Sequence, residues 1–212
     1  EYKEMHKAIS RDCITLVKYK DRDVLPITPE RYKRIMIVHV KGAESGMGML
    51  MKAMGMGGGK NPAEMLKERL CEKGFDAFIY ESPLDAMKKQ IAAGEKPNIN
   101  LYFAGKNAID DFVSGMDLVI TLCDVSSGRP SFGLSKGGGE IPWYVFELPV
   151  VVIGCGQPTM LADVPQARTY INTYDAKPAT FDALVDDLMA GPDAFKGRDP
   201  IDSFCGLFDA RL

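Results

Sequence analysis

Five short runs of strand-forming residues recur along the chain, and they constrain its fold more than any other feature. The strongest of them, RIMIVHV and DLVITLC, are almost continuously apolar, which is typical of strands buried on both faces of a sheet. The five runs are Arg34–Val40, Phe75–Tyr80, Asp117–Cys123, Val150–Ile153 and Arg168–Tyr174. Helical patterns lie between several of them, as in crossover connections between parallel strands. We therefore predict an α/β fold, a three-layer α/β sandwich with a mostly parallel sheet of five or six strands.

The helical patterns have recognisable ends. Asn61 followed by Pro62 suits a helix start, because asparagine caps the first turn and proline is tolerated at its first position; this helix should stop at Gly74. A second helix is predicted from Ser82 to Gly94. Near the C-terminus, a helix closed by the Gly191-Pro192 pair places its apolar residues on one face. These residues are Phe181, Leu184, Val185, Leu188 and Met189.

The segments around the edges of the sheet are predicted in outline. The GCG sequence at 154–156 predicts that the preceding strand ends in a turn, with a short helical segment near Leu161. Residues 1–13 predict a helix, and Ile14–Lys18 with the turn at 21–23 predicts a hairpin leading into the domain. No repeat or linker divides the chain, so we predict a single domain over residues 1–212. Because the chain opens on Glu1 and not on methionine, we expect it to be a piece of a longer protein.

Composition excludes several function classes. A formal net charge of −3 gives no electrostatic reason to expect nucleic acid or an anionic membrane as a partner. No apolar run approaches the roughly 20 residues that span a bilayer, and no signal peptide is visible. The unpaired pattern of the cysteines leads us to expect a cytoplasmic protein. The five cysteines form no Cys-x-x-Cys motif and only two histidines are present, so we expect reduced, mostly buried thiols, no metal site and no cofactor.

Residues 42–60 are rich in glycine and methionine and directly follow the first strong strand. A glycine-rich loop at that place raises the possibility of phosphate or dinucleotide binding, because backbone N–H groups at a helix start cradle phosphate. The spacing argues against this interpretation, since neither G-x-G-x-x-G between strand and helix nor G-x-x-x-x-G-K-[ST] is present. We interpret the segment as a loop whose methionines pack against a neighbouring part of the protein.

Two parts of the sequence resemble a known family. The string PVVVIGCGQPTMLADVPQARTYINTY, followed by a helix and FKGRDPIDSFCGLFDARL, is similar to the end of the C-terminal domain of glycoside hydrolase family 3. The upstream SRDCITLVKYKDRDVLPITPERYKRIMIV resembles the segment in which that domain begins. The nearest branch is that of bacterial β-N-acetylhexosaminidases. The matches cover the start and the last third of the chain, whereas residues 42–139 fit only in outline.

The resemblance implies a glycoside hydrolase whose catalytic residues lie outside this chain. Family 3 enzymes are retaining hydrolases whose carboxylate nucleophile and general acid lie about 5–5.5 Å apart. In the branch that this chain resembles, both groups belong to a (β/α)8 barrel preceding this domain, and the chain is too short to contain such a barrel. Another branch takes its acid/base glutamate from the second domain. Glu140 and Glu147 are the candidates for that role, but neither lies in a recognisable motif, so we assign no catalytic residue to this chain.

A polar loop follows the third strong strand and supplies the candidate site. Ligands of open α/β sheets gather outside the carboxyl ends of the strands. The side chains that we expect there, and predict to bind substrate, are Asp124, Ser126, Arg129 and Ser131. They would contact sugar hydroxyls or an adjoining domain, since a guanidinium offers a rigid fork of donors. The alternative is a solvated connection without a ligand.

Together, these features predict an accessory C-terminal domain of a retaining β-N-acetylhexosaminidase-type glycoside hydrolase. Its partners would be the N-terminal barrel of the same polypeptide and a saccharide in the cleft that the two domains share. Alone, it would hydrolyse nothing. Two alternatives stay open: a freestanding module that binds a saccharide or another small ligand, and a structural or oligomerisation domain. Neither the choice between water and phosphate as acceptor nor the oligomeric state follows from the sequence.

Overall fold

A computed structural model gives the fold of the chain. It describes residues 2–21, 23–41, 61–81, 89–96, 114–125 and 148–198. The strands are β1 (Thr15–Tyr19), β2 (Arg34–Lys41), β3 (Asp76–Ile79), β4 (Leu118–Val125), β5 (Val150–Gly156) and β6 (Thr169–Asn172). The α-helices with defined bounds are α1 (Tyr2–Cys13), α2 (Pro62–Glu72) and α3 (Pro178–Ala190). Two 3₁₀ helices cover Pro158–Asp163 and Pro192–Ala194.

The six strands form one sheet in the order β1-β6-β5-β4-β2-β3. All neighbouring pairs from β6 to β3 are parallel, and only β1 at one edge runs antiparallel, beside β6. The two strongest apolar runs of the sequence, β2 and β4, lie side by side in the middle of the sheet. The predicted α/β fold with a mostly parallel sheet is confirmed, and the strand number is six.

Both faces of the sheet are buried, as the continuous apolar runs require. On one face, Ile37 of β2 and Ile153 of β5 share a core with Leu66 of α2 and with Phe181 and Leu184 of α3. On the other face, alternate strand residues form a second core with Met160 and Leu161 of the first 3₁₀ helix. Burying each such large apolar side chain contributes about 1.5–3 kcal/mol. The arrangement is the predicted three-layer sandwich.

Local signals set the ends of α2 and α3. The Asn61 side chain accepts a hydrogen bond from the backbone N–H of Ala63 over 3.1 Å, so the predicted cap is present. Helix α3 ends where Gly191 adopts a φ of 102°, a conformation that glycine reaches easily. The two helices are joined on the surface by Lys73 Nζ, which lies 2.7 Å from Asp186 Oδ1. The sequence placed both helices correctly.

The turn predicted at 154–156 is wrong, because β5 continues through Gly156. The reason lies in the neighbouring strand. The Tyr170 and Asn172 side chains of β6 occupy the space above Gly154, so this position has room for a strand backbone but none for a side chain. The glycine serves the close packing of two strands and does not mark a turn.

The hairpin predicted near the N-terminus is also wrong. Strand β1 pairs with β6, with Leu16 opposite Ile171, and forms the antiparallel edge of the sheet. Helix α1 lies where the sequence predicted it, but the apolar residues Met5 and Ile9 are exposed. The helix is held to α3 by a polar contact, in which Arg11 Nε donates to Asp187 Oδ1 over 2.7 Å.

Several predicted features lie outside the described residues. They include the glycine- and methionine-rich segment 42–60, the start of the helix predicted from Ser82, and Cys205. The end of that helix is described: it is helical at 89–92, and Gly94 has a φ of 75°. Of the four described cysteines, Cys123 and Cys155 are buried, whereas Cys13 and Cys71 are exposed. The expectation of mostly buried thiols therefore holds for only two of them.

Candidate functional site at the carboxyl ends of the strands

The order of the strands defines one position where a ligand crevice is expected. After β2 the chain forms β3 on one side of that strand, and it then crosses to form β4 on the other side. Because the strand order diverges at this point, a ligand crevice is expected between the carboxyl ends of β2 and β4. The register brings Lys41 of β2 opposite Asp124 of β4, and Asp124 opposite Cys155 of β5.

Two polar side chains meet at this point. Alternation along β2 and β4 puts His39 and Asp124 on the sheet face that also carries Ile37 and Leu122. His39 Nε2 lies 3.6 Å from Asp124 Oδ2. The imidazole is 7% exposed, whereas the carboxylate is 33% exposed. The Asp124 carboxylate is therefore accessible to solvent as an acceptor, whereas the neighbouring His39 imidazole is buried.

The next side chain along this edge is a thiol without nucleophilic character. The pKa of Cys155 is raised to about 12, mainly by burial and to a smaller extent by the carboxylates of Asp124 and Asp175, against a hydrogen bond from Thr173 that lowers it. Thr173 Oγ1 lies 3.3 Å from Cys155 Sγ and donates to the Asp175 carbonyl oxygen over 2.8 Å. The thiolate is the nucleophilic form of cysteine, so Cys155 is a packing residue at neutral pH.

Asp175 follows β6 and fixes the start of α3. Its Oδ1 accepts hydrogen bonds from Thr180 Oγ1 over 2.5 Å and from the Lys177 N–H over 3.3 Å. Burial by itself would raise the pKa of Asp175, but these hydrogen bonds outweigh it, so the pKa of this carboxyl lies below its usual value. Asp175 lies two residues before the N-cap Lys177, and its carboxylate is already occupied by donors of Lys177 and Thr180.

The sequence predicted part of this site. Asp124 lies at the expected strand end, whereas Ser126, Arg129 and Ser131 lie outside the described residues, as do Glu140 and Glu147. Whether the predicted residues contact a substrate is a prediction that the structure leaves open. His39 was missed, although one signal was present. It is the single polar side chain inside the apolar run IMIVHV, at a position where a buried strand otherwise excludes polarity.

Two features are absent from the part of the chain that the structure describes. Among those residues, no group of three or more His, Cys, Asp or Glu side chains is arranged to hold a metal ion. No helix within the same residues is long and apolar enough to cross a membrane.

Comparisons with known proteins show which enzymes this chain is similar to. No protein-family profile matches the chain. The β-N-acetylglucosaminidase/β-glucosidase of Cellulomonas fimi is 30% identical over 215 residues, which cover 98% of this chain and 34% of that protein. The structure named β-glucoside phosphorylase BglX is 29% identical, has a TM-score of 0.67, and covers 99% of this chain and 33% of that one.

A third comparison supports the fold alone. A glycoside hydrolase family 3 β-N-acetylglucosaminidase from Paenibacillus sp. is 13% identical with a TM-score of 0.54, and it covers 89% of this chain and 31% of that one. The chain thus spans about one third of the length of the relatives that it matches. These similarities confirm the predicted resemblance: almost the whole chain is similar to about one third of a β-N-acetylglucosaminidase/β-glucosidase and of a β-glucoside phosphorylase.

Proposed function

We propose that this chain is the C-terminal accessory domain of a retaining β-N-acetylhexosaminidase-type glycoside hydrolase. It would pack against the N-terminal (β/α)8 barrel of the same polypeptide and form one wall of the cleft that holds the saccharide. The observation that carries the proposal is the extent of the similarity. Almost the whole chain aligns with one third of an enzyme named β-N-acetylglucosaminidase/β-glucosidase, which leaves about two thirds of such an enzyme for a separate domain.

The carboxyl edge of the sheet is the surface that we assign to the cleft. Asp124 is one-third exposed there, beside the point where the strand order diverges. We propose that its carboxylate accepts a hydrogen bond from a sugar hydroxyl. Ser126, Arg129 and Ser131 follow it in the sequence and would add donors to the same hydroxyl groups or to the barrel.

We place the protein in the cytoplasm. The four described cysteines are free thiols. Free thiols are the normal state of cysteine in a reducing compartment. Fractionation of cells that produce the protein would test this placement, and recovery outside the cytoplasm would contradict it.

The test of the accessory role is a paired assay. The isolated 212-residue chain and the longer polypeptide that contains it are incubated with p-nitrophenyl N-acetyl-β-glucosaminide and with the matching β-glucoside. We expect hydrolysis by the longer polypeptide only, and faster on the acetamido sugar. Hydrolysis by the isolated chain would refute the proposal and would direct attention to Asp124, Glu140 and Glu147 as catalytic carboxylates. Tight saccharide binding by the isolated chain would instead favour a freestanding binding module.

A second candidate activity has a specific observation in its favour. The structure named β-glucoside phosphorylase matches 99% of this chain at 29% identity, so phosphate is a possible acceptor for the parent enzyme. The same assay, repeated in phosphate buffer with detection of sugar 1-phosphate, separates the two. Sugar 1-phosphate as the main product would make the parent a phosphorylase, whereas free sugar at all phosphate concentrations would keep it a hydrolase.

A further inference from the structure

Three buried polar atoms in the described part of the chain have no hydrogen-bond partner: His39 Nε2, Thr169 Oγ1 and Asp187 Oδ2. Of these, the Asp187 carboxylate is already engaged through its other oxygen, with Arg11. His39 differs from both others, because it lies at the carboxyl end of a central strand, at the point where a ligand crevice is expected. A buried polar atom without a hydrogen-bond partner costs free energy, so an unpartnered imidazole nitrogen at this place calls for a function.

The acceptor nearest to this nitrogen is the carboxylate of Asp124. The 3.6 Å between Nε2 and Oδ2 exceeds the roughly 2.7–3.2 Å of an N–H···O hydrogen bond by a few tenths of an ångström. An approach of about 0.4 Å between the two atoms would close that gap. Because His39 is 7% exposed and Asp124 is 33% exposed, closing it joins a buried donor to one oxygen of a carboxylate that still reaches solvent.

Among the described side chains, His39 is the one whose nitrogen lies within 4 Å of the Asp124 carboxylate. On the neighbouring strand β5 the carboxylate faces Cys155, whose thiol stays protonated and is engaged by Thr173. The carboxylate of Asp175, farther along this edge, accepts from Thr180 and has no donor to offer. A carboxylate held through one oxygen keeps its other oxygen in a fixed direction for a ligand.

We propose that His39 is a positioning residue: its Nε2–H binds Asp124, so that the solvent-facing carboxylate oxygen accepts a hydrogen bond from a hydroxyl of the bound saccharide. The proposal rests on the function proposed above, because Asp124 is there assigned to the sugar. It adds a residue that touches no substrate and predicts how that residue acts. Since positioning lowers the cost of binding, its loss should appear in KM and not in kcat.

The first arm of the test measures the hydrogen bond itself on the isolated chain. Long-range ¹H–¹⁵N spectra of the imidazole should show His39 protonated at Nε2, and the Nε2 resonance should shift in Asp124→Ala. A resonance of the opposite tautomer, or one that Asp124→Ala leaves unmoved, would overturn the proposal. This arm needs no saccharide and no barrel, so it stays decisive if the parent polypeptide turns out to have another activity.

The second arm measures KM and kcat of the longer polypeptide on p-nitrophenyl N-acetyl-β-glucosaminide. We expect Asp124→Ala to raise KM about tenfold and His39→Phe to raise it about fivefold, with kcat within about twofold of the parent. His39→Gln keeps a donor near the position of Nε2 and should restore KM. In the Asp124→Ala background, His39→Phe should have no further effect, because the two residues act as one unit.

A matched control separates positioning from folding. Ile37→Val removes one methylene from the same face of β2 and should lower stability without changing KM. If Asp124→Ala leaves KM unchanged, the assignment of Asp124 to the sugar fails. If Asp124→Ala raises KM but His39→Phe does not, the assignment to the sugar stands and the positioning role is refuted. Equal effects of His39→Phe in both backgrounds would likewise refute it.

Discussion

Replacing Gly154 with alanine tests the close packing that continues β5 through a glycine. A Cβ at this position would lie 2.8 Å from Asn172 Oδ1 and 3.1 Å from Tyr170 Cζ, and it would meet Tyr170 Oη at a still shorter distance. Tyr170 is 0% exposed and Asn172 is 1% exposed, so neither side chain can swing into solvent. The added methyl group must therefore push two packed strands apart.

The expected cost follows from two opposing effects. Overpacking a well-filled core typically costs about 1–3 kcal/mol. Alanine recovers roughly 0.5–1 kcal/mol, because glycine loses more conformational freedom on folding. We expect Gly154→Ala to lower the free energy of unfolding by about 2 kcal/mol, since the contacts are short and involve ring atoms. In a domain of this size the loss corresponds to a fall in Tm of roughly 4–8 °C.

Urea denaturation followed by circular dichroism measures the change, and a second substitution tests its cause. Tyr170→Phe removes the hydroxyl group and its 3.0 Å hydrogen bond to Asn172, which costs about 1 kcal/mol. In that background, Gly154→Ala should cost at least about 1 kcal/mol less than it does alone. Costs that add to within about 0.5 kcal/mol would refute the steric argument. Gly94→Ala is the control, because its cost arises from a φ of 75° with open space around it and should be unaffected by Tyr170→Phe.

Three further predictions follow from the ionisable groups. Arg11→Met should lower stability by about 1–3 kcal/mol at pH 7, because it leaves the buried Asp187 carboxylate without its partner. Burial raises the pKa of Asp187, so this loss should shrink as the pH falls and the carboxyl takes up a proton; a loss that is equal at pH 7 and pH 4.5 in urea denaturation would contradict the reasoning. Asp175→Asn should cost about 1 kcal/mol at pH 6, because it weakens the hydrogen bonds that the carboxylate accepts from Thr180 and Lys177. The pKa of the Asp175 carboxyl is lower in the folded than in the unfolded protein. Its contribution to the free energy of unfolding is therefore complete above the unfolded pKa and is lost as the pH falls through the folded pKa. A stability difference between the parent and Asp175→Asn that stays undiminished at low pH would contradict this prediction. Burial raises the pKa of both Cys123 and Cys155 to about 12, so iodoacetamide at pH 8 should modify the two exposed cysteines of the described chain and spare these two, as peptide mass spectrometry can determine.

Where the sequence predicted the fold correctly, the deciding physics is local. The apolar runs of β2 and β4 have to be buried on both faces, and a parallel sheet with crossover helices is the arrangement that does so. The start of α2 was predictable because Asn61 bonds the backbone two residues later. The end of α3 was predictable because Gly191 reaches a φ of 102° without a steric penalty.

Where the sequence misled, the cause lies far along the chain. Gly154 indicates a turn only as long as the Tyr170 and Asn172 side chains above it are unknown. Residues 15–19 look like half of a local hairpin, yet their hydrogen-bond partner β6 lies about 150 residues away. Helix α1 shows the same limit. Its apolar residues Met5 and Ile9 are exposed, and it is held to α3 by polar contacts such as that of Arg11 with Asp187, 176 residues away.

The same dependence on distant residues explains why only part of the candidate site was predictable. Asp124 was predictable because it directly follows an apolar strand, and a strand of a parallel sheet ends at the edge where ligands bind. The role of His39 depends on a fact that no single segment contains: β2 neighbours β4 and not only β3, so the end of one strand faces the end of the other. The adjacency of β2 and β4 does not by itself show that His39 has a functional role. A buried imidazole could be packing, and it becomes a candidate for function because its Nε2 has no hydrogen-bond partner among the described residues while a carboxylate oxygen lies 3.6 Å away. The sequence therefore identifies the carboxyl edge of the sheet, and the strand order shows that His39 and Asp124 are neighbours there. The missing hydrogen bond at His39 Nε2 is the physical reason to expect that the two residues act together.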